Sequence, residues 1–223
     1  MPNWVMNELT CIFQTAEEYN AFKTKVTEKN NKEEEEFFNI FVTMPEVLNG
    51  TQSPDVNVTK LIADFNKETG KSVTTLQEIV EANHQWFSST AKAGIQNRLA
   101  LASTGFSTWH AWNVKNWGVK WDASDLKIKE LPDFNTVIYS FNTPWDTPES
   151  FVKTLSTLYP NATFEMVSGS IENDTHYEFV CEDGKFEETC SYETFKEAVE
   201  DGKWGGMAEW DSLFEESEEV TEA

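Results

Sequence analysis

Catalysis needs nucleophiles, bases or metal ligands brought close together, and this chain sets them apart. His84, His110 and His176 each stand alone, and no two share metal-ligand spacing. Cys11, Cys181 and Cys190 are odd in number and do not complete a ligand set. Cys181 and Cys190 flank Asp183-Gly184. A two-residue hairpin there sets Cys181 opposite Phe186 and Cys190 opposite Tyr177, so no disulfide between them is expected. Reduced thiols in a cytoplasm fit best. The chain holds no Gly-x-Gly-x-x-Gly, no Walker A segment, no nucleophile elbow and no His-Glu-x-x-His. Asp122 and Asp125 have the spacing of a carboxylate pair for acid–base work. In Trp121-Asp-Ala-Ser-Asp125 they read better as caps that bind backbone amides and guide the chain into the next strand. No catalytic residue, metal or cofactor is assigned, and an enzyme is not expected.

Recognition chemistry is more concentrated. Trp109, Trp112, Trp117 and Trp121, four of the nine tryptophans, fall within thirteen residues. Each indole is bulky and, when buried, needs an acceptor for its N–H. Gly118 lets the backbone turn beside Trp117. Lys115 and Lys120 can lay a cation over an indole face. One reading is a structural aromatic cluster closing a sheet edge. The other is a binding surface made of Trp109, Trp112, Asn116, Trp117, Gly118, Lys120, Trp121 and Asp122, open to a protein, or to a small ligand in the pocket of a ligand-binding protein or an enzyme.

The same stretch carries a resemblance. Asn116-Trp-Gly-Val-Lys-Trp-Asp-Ala123 resembles the N-W-G-x-K-W-[DN]-A signature of the YubB ferredoxin-like family of phage and plasmid proteins. Met1-Pro-Asn-Trp4 with Asn7 and Leu9, Met44-Pro-Glu46 and Phe141-Asn-Thr-Pro-Trp145 are similar to three further family segments, in family order. Val5 stands where the family has Cys, and the acidic end lies beyond the family's length. The resemblance implies an α+β, ferredoxin-like split βαβ plait with an antiparallel sheet over residues 1–190, and the order of expected elements fits the same plait; the residues themselves give an acidic C-terminal helix and tail over 191–223. The resemblance also implies a phage source and the host cytoplasm, and no established activity.

Charge narrows the partner. The net charge is −22, with 17 basic residues against 39 acidic. A direct grip on phosphate backbones needs clustered Lys and Arg, so nucleic acid is not an expected ligand. From Glu178 to Ala223 there are 16 acids and 3 lysines, a net of −13. Glu187, Glu188, Glu193, Glu197, Glu200, Asp201, Glu209 and Asp211 form the expected docking surface for a host or phage protein with a basic face. Such a surface could mimic nucleic acid or act in counter-defence. No run reaches the length of a membrane span, and no secretory signal is read at the N-terminus.

The elements that must position these residues follow from periodicity. Strands are expected at Trp4–Phe13, Phe37–Val42, Asp125–Leu131, Thr136–Phe141, Thr163–Val167, His176–Cys181 and Phe186–Thr189. Thr15-Ala-Glu-Glu18 reads as a capping box before a helix whose face carries Tyr19, Phe22 and Val26, with an acidic loop at Glu33–Glu36. A helical insertion is expected over about 56–103. Its stripes are Leu61, Ile62 and Phe65 in a helix ended by Gly70, then Leu76, Ile79, Val80, Asn83 and Phe87, then Ile95, Leu99 and Ala102 in a third helix after Gly94. Phe151, Leu155, Leu158 and Tyr159 should line the buried side of a helix begun at Thr147-Pro-Glu149. Tyr192, Phe195, Ala198 and Val199 mark a last helix, and Met207, Trp210, Leu213 and Phe214 an apolar stripe in the acidic tail. Tyr139 and Phe141 alternate on one strand face, as base-stacking residues do in RNA-binding plaits, but a basic surround is missing.

Overall fold

The computed structural model describes residues 3–30, 36–190 and 192–204. The chain divides into two compact units. The first comprises Met1–Glu35, Ala123–Thr147 and Val152–Ala223, and the second Glu36–Asp122 with Pro148–Phe151.

The first unit is an antiparallel sheet with helices. Its elements are β1 (Trp4–Ile12), α1 (Ala16–Asn30), β2 (Ser124–Leu131), β3 (Thr136–Pro144), β4 (Thr163–Ser170), β5 (Thr175–Glu182), β6 (Lys185–Glu188) and a short C-terminal helix at Phe195–Glu200. The strand order is β2-β3-β1-β4-β5-β6. The order β2-β3-β1-β4 is the split βαβ plait, and β5 and β6 extend it past β4. The fold is therefore α+β and ferredoxin-like.

Alternation sorts the side chains. Ile128, Tyr139, Leu9, Met166 and Phe179 lie in one cross-strand row. On this face Val5, Leu9, Cys11, Tyr139, Phe141 and Phe164 are buried. Thr15 accepts the Glu18 amide at 3.2 Å and starts α1, whose Phe22 ring lies 5.0 Å from Phe13 and 5.1 Å from Tyr159. Tyr139 packs on Phe22, so neither it nor buried Phe141 offers an open stacking platform. The opposite face carries the row Lys127, Ser140, Glu8, Val167 and Glu178.

The second unit is helical: α2 (Phe38–Phe41), α3 (Val58–Thr69), α4 (Leu76–Glu81), α5 (Gln85–Thr104) and α6 (Trp109–Asn116). In chain order the remaining helices are α7 (Glu149–Leu158), which begins in this unit's last segment, and the C-terminal helix, α8. Helices thus run from Phe38 to Asn116, outside 56–103 on both sides. α3 ends as expected on left-handed Gly70, and Thr75 with Glu78 closes a capping box on α4.

Four local expectations are corrected. Phe37–Val42 is not a strand, because Phe38–Phe41 forms a helical turn whose amides are held by a distant carboxylate. The stripe from Leu76 to Phe87 breaks at Asn83, whose φ of 53° ends α4 before α5 begins. Gly94 lies inside α5 and starts no new helix. A Cβ on it would meet Leu76 at 3.0 Å, so the glycine lets two helices approach. The buried side of α5 therefore runs through Phe87, Ala91, Gly94 and Ala100, and Leu99 is 57% exposed. Leu158, at 52%, is not part of the buried side of α7.

Candidate functional site

The tryptophan segment is built on α6. Thr108 caps the helix by accepting the Ala111 amide at 3.1 Å, and the Trp109 amide donates to Thr51 Oγ1 at 2.9 Å. Trp112 meets Trp117 edge to face, with centroids 5.5 Å apart. Trp117 is buried and donates its indole N–H to the Val42 carbonyl at 2.9 Å. Its backbone carbonyl accepts the Phe151 amide at 3.2 Å. Gly118, at φ 90°, turns the chain. Asn116 donates to the Trp112 carbonyl and Asn113 to the Lys120 carbonyl, both at 2.8 Å.

Asp122 completes the arrangement. Its two oxygens accept the amides of Phe37, Phe38 and Asn39 at 3.1, 2.7 and 2.9 Å. A carboxylate at three unpaired amides satisfies the start of a helical turn and meets its positive end. Asp125 instead accepts from the Asn142 side chain at 3.1 Å. Asp122 thus caps backbone amides as expected, though of a distant turn rather than its own, whereas Asp125 binds a side chain and not the expected amide.

The eight expected binding residues therefore divide. Trp112, Asn116, Trp117, Gly118 and Asp122 make the internal contacts of the helical unit. Trp109, Lys120 and Trp121 reach its surface. Lys120 Nζ lies 4.3 Å from the Trp121 ring centroid, and that indole is 41% exposed. Beside them is an open depression of about 540 Å³, lined by Asp55, Ser107, Trp109, His110 and Lys120 among others. Asp55 was not foreseen. Burial raises its carboxyl, but hydrogen bonds from Asn97 and Ser107 and the charge of Arg98 outweigh burial and hold it below the usual carboxylate range. Asn97 lies 42 residues away in the chain, so no local pattern signals the pair.

Two other family-like segments, those carrying Asn7 and Thr143, meet in the sheet unit, whereas Met44-Pro-Glu46 belongs to the helical one. Asn7 Nδ2 donates to Thr143 Oγ1 at 2.7 Å, and Ser168 Oγ donates to Asn7 Oδ1 at 2.8 Å. All three are buried, so the motif positions Asn7 and Thr143, with Ser168, satisfy one another in the core.

On the acidic surface, Glu187 and Glu188 lie on the edge strand β6, Glu197 and Glu200 on α8, and Glu193 and Asp201 beside it, all exposed. Glu209 and Asp211 lie outside the described residues, as do the stripe Met207, Trp210, Leu213 and Phe214 and most of the loop at 33–36. Among the described residues no group of three or more His, Cys, Asp or Glu could hold a metal ion, and no helix is long and apolar enough to cross a membrane.

Comparison with protein-family models and with curated proteins finds no match. Among solved structures, the crystal structure of a protein api92 from Yersinia pseudotuberculosis, of family DUF1281, is similar over 86% of this chain and 99% of that chain, at 11% identity and a TM-score of 0.40. A likeness of that size bears on neither activity nor partner.

Proposed function

We propose that the chain is a non-enzymatic phage accessory protein that binds a basic-surfaced host or phage protein in the host cytoplasm. The observation that carries this reading is the edge of the sheet unit. β6 and the α8 segment expose Glu187, Glu188, Glu193, Glu197, Glu200 and Asp201 within fifteen residues. Lys196, 3.9 Å from Glu200, offsets little of that charge. Such a surface steers a basic protein into place and repels nucleic acid. The test is capture from host lysate at low salt with the wild-type chain and with Glu187→Lys, Glu188→Lys, Glu197→Lys and Glu200→Lys combined. A partner held by the wild type, lost by the variant and released at about 1 M salt, where screening falls to about 3 Å, supports the reading. No capture, or equal capture by the variant, overturns it.

A second reading rests on the depression beside Trp109, His110 and Lys120, whose rings and cation suit a small planar or anionic ligand. A thermal-shift screen with nucleotides and metabolites, repeated on Trp109→Ala, tests it. Stabilisation by one compound, absent in the variant, would favour this reading over the first.

A further inference from the structure

We infer that the open face of the sheet is the seat of this chain's own C-terminal stripe, Met207, Trp210, Leu213 and Phe214. The stripe lies outside the described residues, and the face within them. It is the face turned away from α1. Beside its row of Lys127, Ser140, Glu8, Val167 and Glu178 runs the row Lys129, Ile138, Thr10, Glu165, Val180 and Glu187, and Ile12 follows two residues on. An antiparallel sheet packed on one side usually turns polar residues outward on the other. Here Ile12, Ile138, Val167 and Val180 point that way, all half-buried. They are contiguous. Ile138 lies diagonal to Ile12 and opposite Thr10, and Val167 lies diagonal to both Thr10 and Val180, all within side-chain reach. A contiguous apolar patch of this kind marks a contact.

One end of the face is already covered. Met6, Phe195, Ala198 and Trp204 share a small core, with Val167 packed at its rim. Phe195 and Trp204 press on Gly169 so closely that a methyl group there would overlap them. Lys203 Nζ donates to Glu178, on the same face, at 2.9 Å. The chain therefore arrives on this face at Lys203 and Trp204, with Ile138, Ile12 and Val180 still beyond the cover.

The residues that follow suit the remainder in reach, length and charge. Met207 comes three residues after Trp204, within about 10 Å of extended chain. The stripe has the spacing i, i+3, i+6 and i+7, one side of a helical winding about 10 Å long. The open rows from Glu8 to Ile12 span about 13 Å along the strands. From Gly205 to Ala223 there are seven acids and no base. The acidic edge at β6 and α8 repels such a segment, as do Glu165 and Glu187. Lys127 and Lys129, exposed on the β2 side of the face, draw it across Ile138 instead. Lys129 and Lys203 both act on the Glu8 carboxyl, so the β2 side and the point of arrival flank one patch. A second copy of the chain is a poorer occupant, because two bodies of net charge −22 repel. The seat is separate from the docking edge proposed above, and neither depends on the other.

The experiment is NMR on the full chain with labelled Ile and Val methyls and labelled aromatic rings. Cross-relaxation should join the Ile138 or Val167 methyls to the ring of Trp210 or Phe214. In a full-length variant combining Met207→Ser, Trp210→Ser, Leu213→Ser and Phe214→Ser, the methyls of Ile12, Ile138, Val167 and Val180 should shift. The methyls of Ile79 and Val56, in the core of the helical unit, should stay in place. Ile138→Lys puts a charge in the seat and should abolish the Trp210 contact with Val167. Rings of Trp210 and Phe214 that touch none of these methyls, or methyl shifts that the serine variant leaves unchanged, would overturn the proposal and leave the face to another protein. Contacts seen only between differently labelled copies in a mixed sample would also overturn it, with a second copy as the occupant. The ring contacts are read on the wild type, so that arm stands even where a variant fails to fold.

Discussion

Truncating Trp117 and truncating Trp121 should have unlike results. Trp117→Ala removes a buried indole, its edge contact with Trp112 and its bond to Val42, and should cost about 3–5 kcal/mol in denaturant unfolding. Trp121→Ala removes a ring that is 41% exposed, with its cation–π contact to Lys120, and should cost less than about 1 kcal/mol. Equal costs would contradict the division of the motif. Glu8 and Glu178 form a second contrast, two strands apart in one row. Burial raises the Glu8 carboxyl, with Lys129 and Lys203 only partly opposing it. Burial also pushes Glu178 up, but hydrogen bonds from His176 and Lys203 and the charge of Lys203 outweigh it and hold that carboxyl below its usual range. A lowered carboxylate stabilises the fold above its unfolded pKa and loses that contribution as pH falls through the folded value. A raised one costs stability at neutral pH and recovers it as pH falls. Glu178→Gln should therefore destabilise at pH 7 and flatten the acid limb of a stability–pH curve, while Glu8→Gln should be neutral or stabilising there. The residue types of the tryptophan segment were legible in the sequence, and so was the capping role of Asp122. The amides it caps lie 84 residues back in the chain, beyond any local pattern.

Elements with a strong period were legible, and those decided by distant contacts were not. β1, α1, the β2–β3 pair and the Asp183-Gly184 hairpin follow their patterns, because alternation and turn chemistry are local. The run Phe37–Val42 is too short for periodicity to separate strand from helix, and Asp122 settled it. Gly94 reads as a break in sequence, yet its missing side chain admits Leu76 and keeps α5 continuous. Gly169 performs a similar service on β4. Gly169→Ala should displace Phe195 and Trp204 and raise hydrogen exchange in α8, with β1 and β3 amides little changed. Exchange rising equally in β1 and β3 would show that α8 and the sheet open as one.

At the scale of the whole molecule, charge is the dominant quantity. A net charge of −22 places like charges across the surface, and self-repulsion opposes the compact state. Adding salt from about 0.01 M to about 0.15 M shortens the screening length from about 30 Å to about 8 Å. The melting temperature should rise over that interval, while capture of a basic partner should fall. A melting temperature that fell instead would point to attractive pairs such as Lys23–Glu130 and Lys203–Glu178 outweighing the repulsion. The α+β class and most of the plait were readable from strand and helix order, although the expected strand at Phe37–Val42 has no place in it. The reach of the helical unit was not, because α2 and α6 are held by contacts that no local window contains.

The helical unit sits in the chain between α1 and β2, and this sets a timetable for synthesis. Ile12 pairs with Thr136, 124 residues later, and every other β1–β3 pair spans more. At about 5–20 residues per second, the ribosome needs roughly 6–25 s to deliver the partner after β1 has been made. Throughout that interval an apolar strand, Val5, Leu9 and Cys11 among its residues, waits with both edges unpaired. Soluble yield should therefore depend on growth temperature and on holding chaperones more steeply than the stability of the finished protein would suggest.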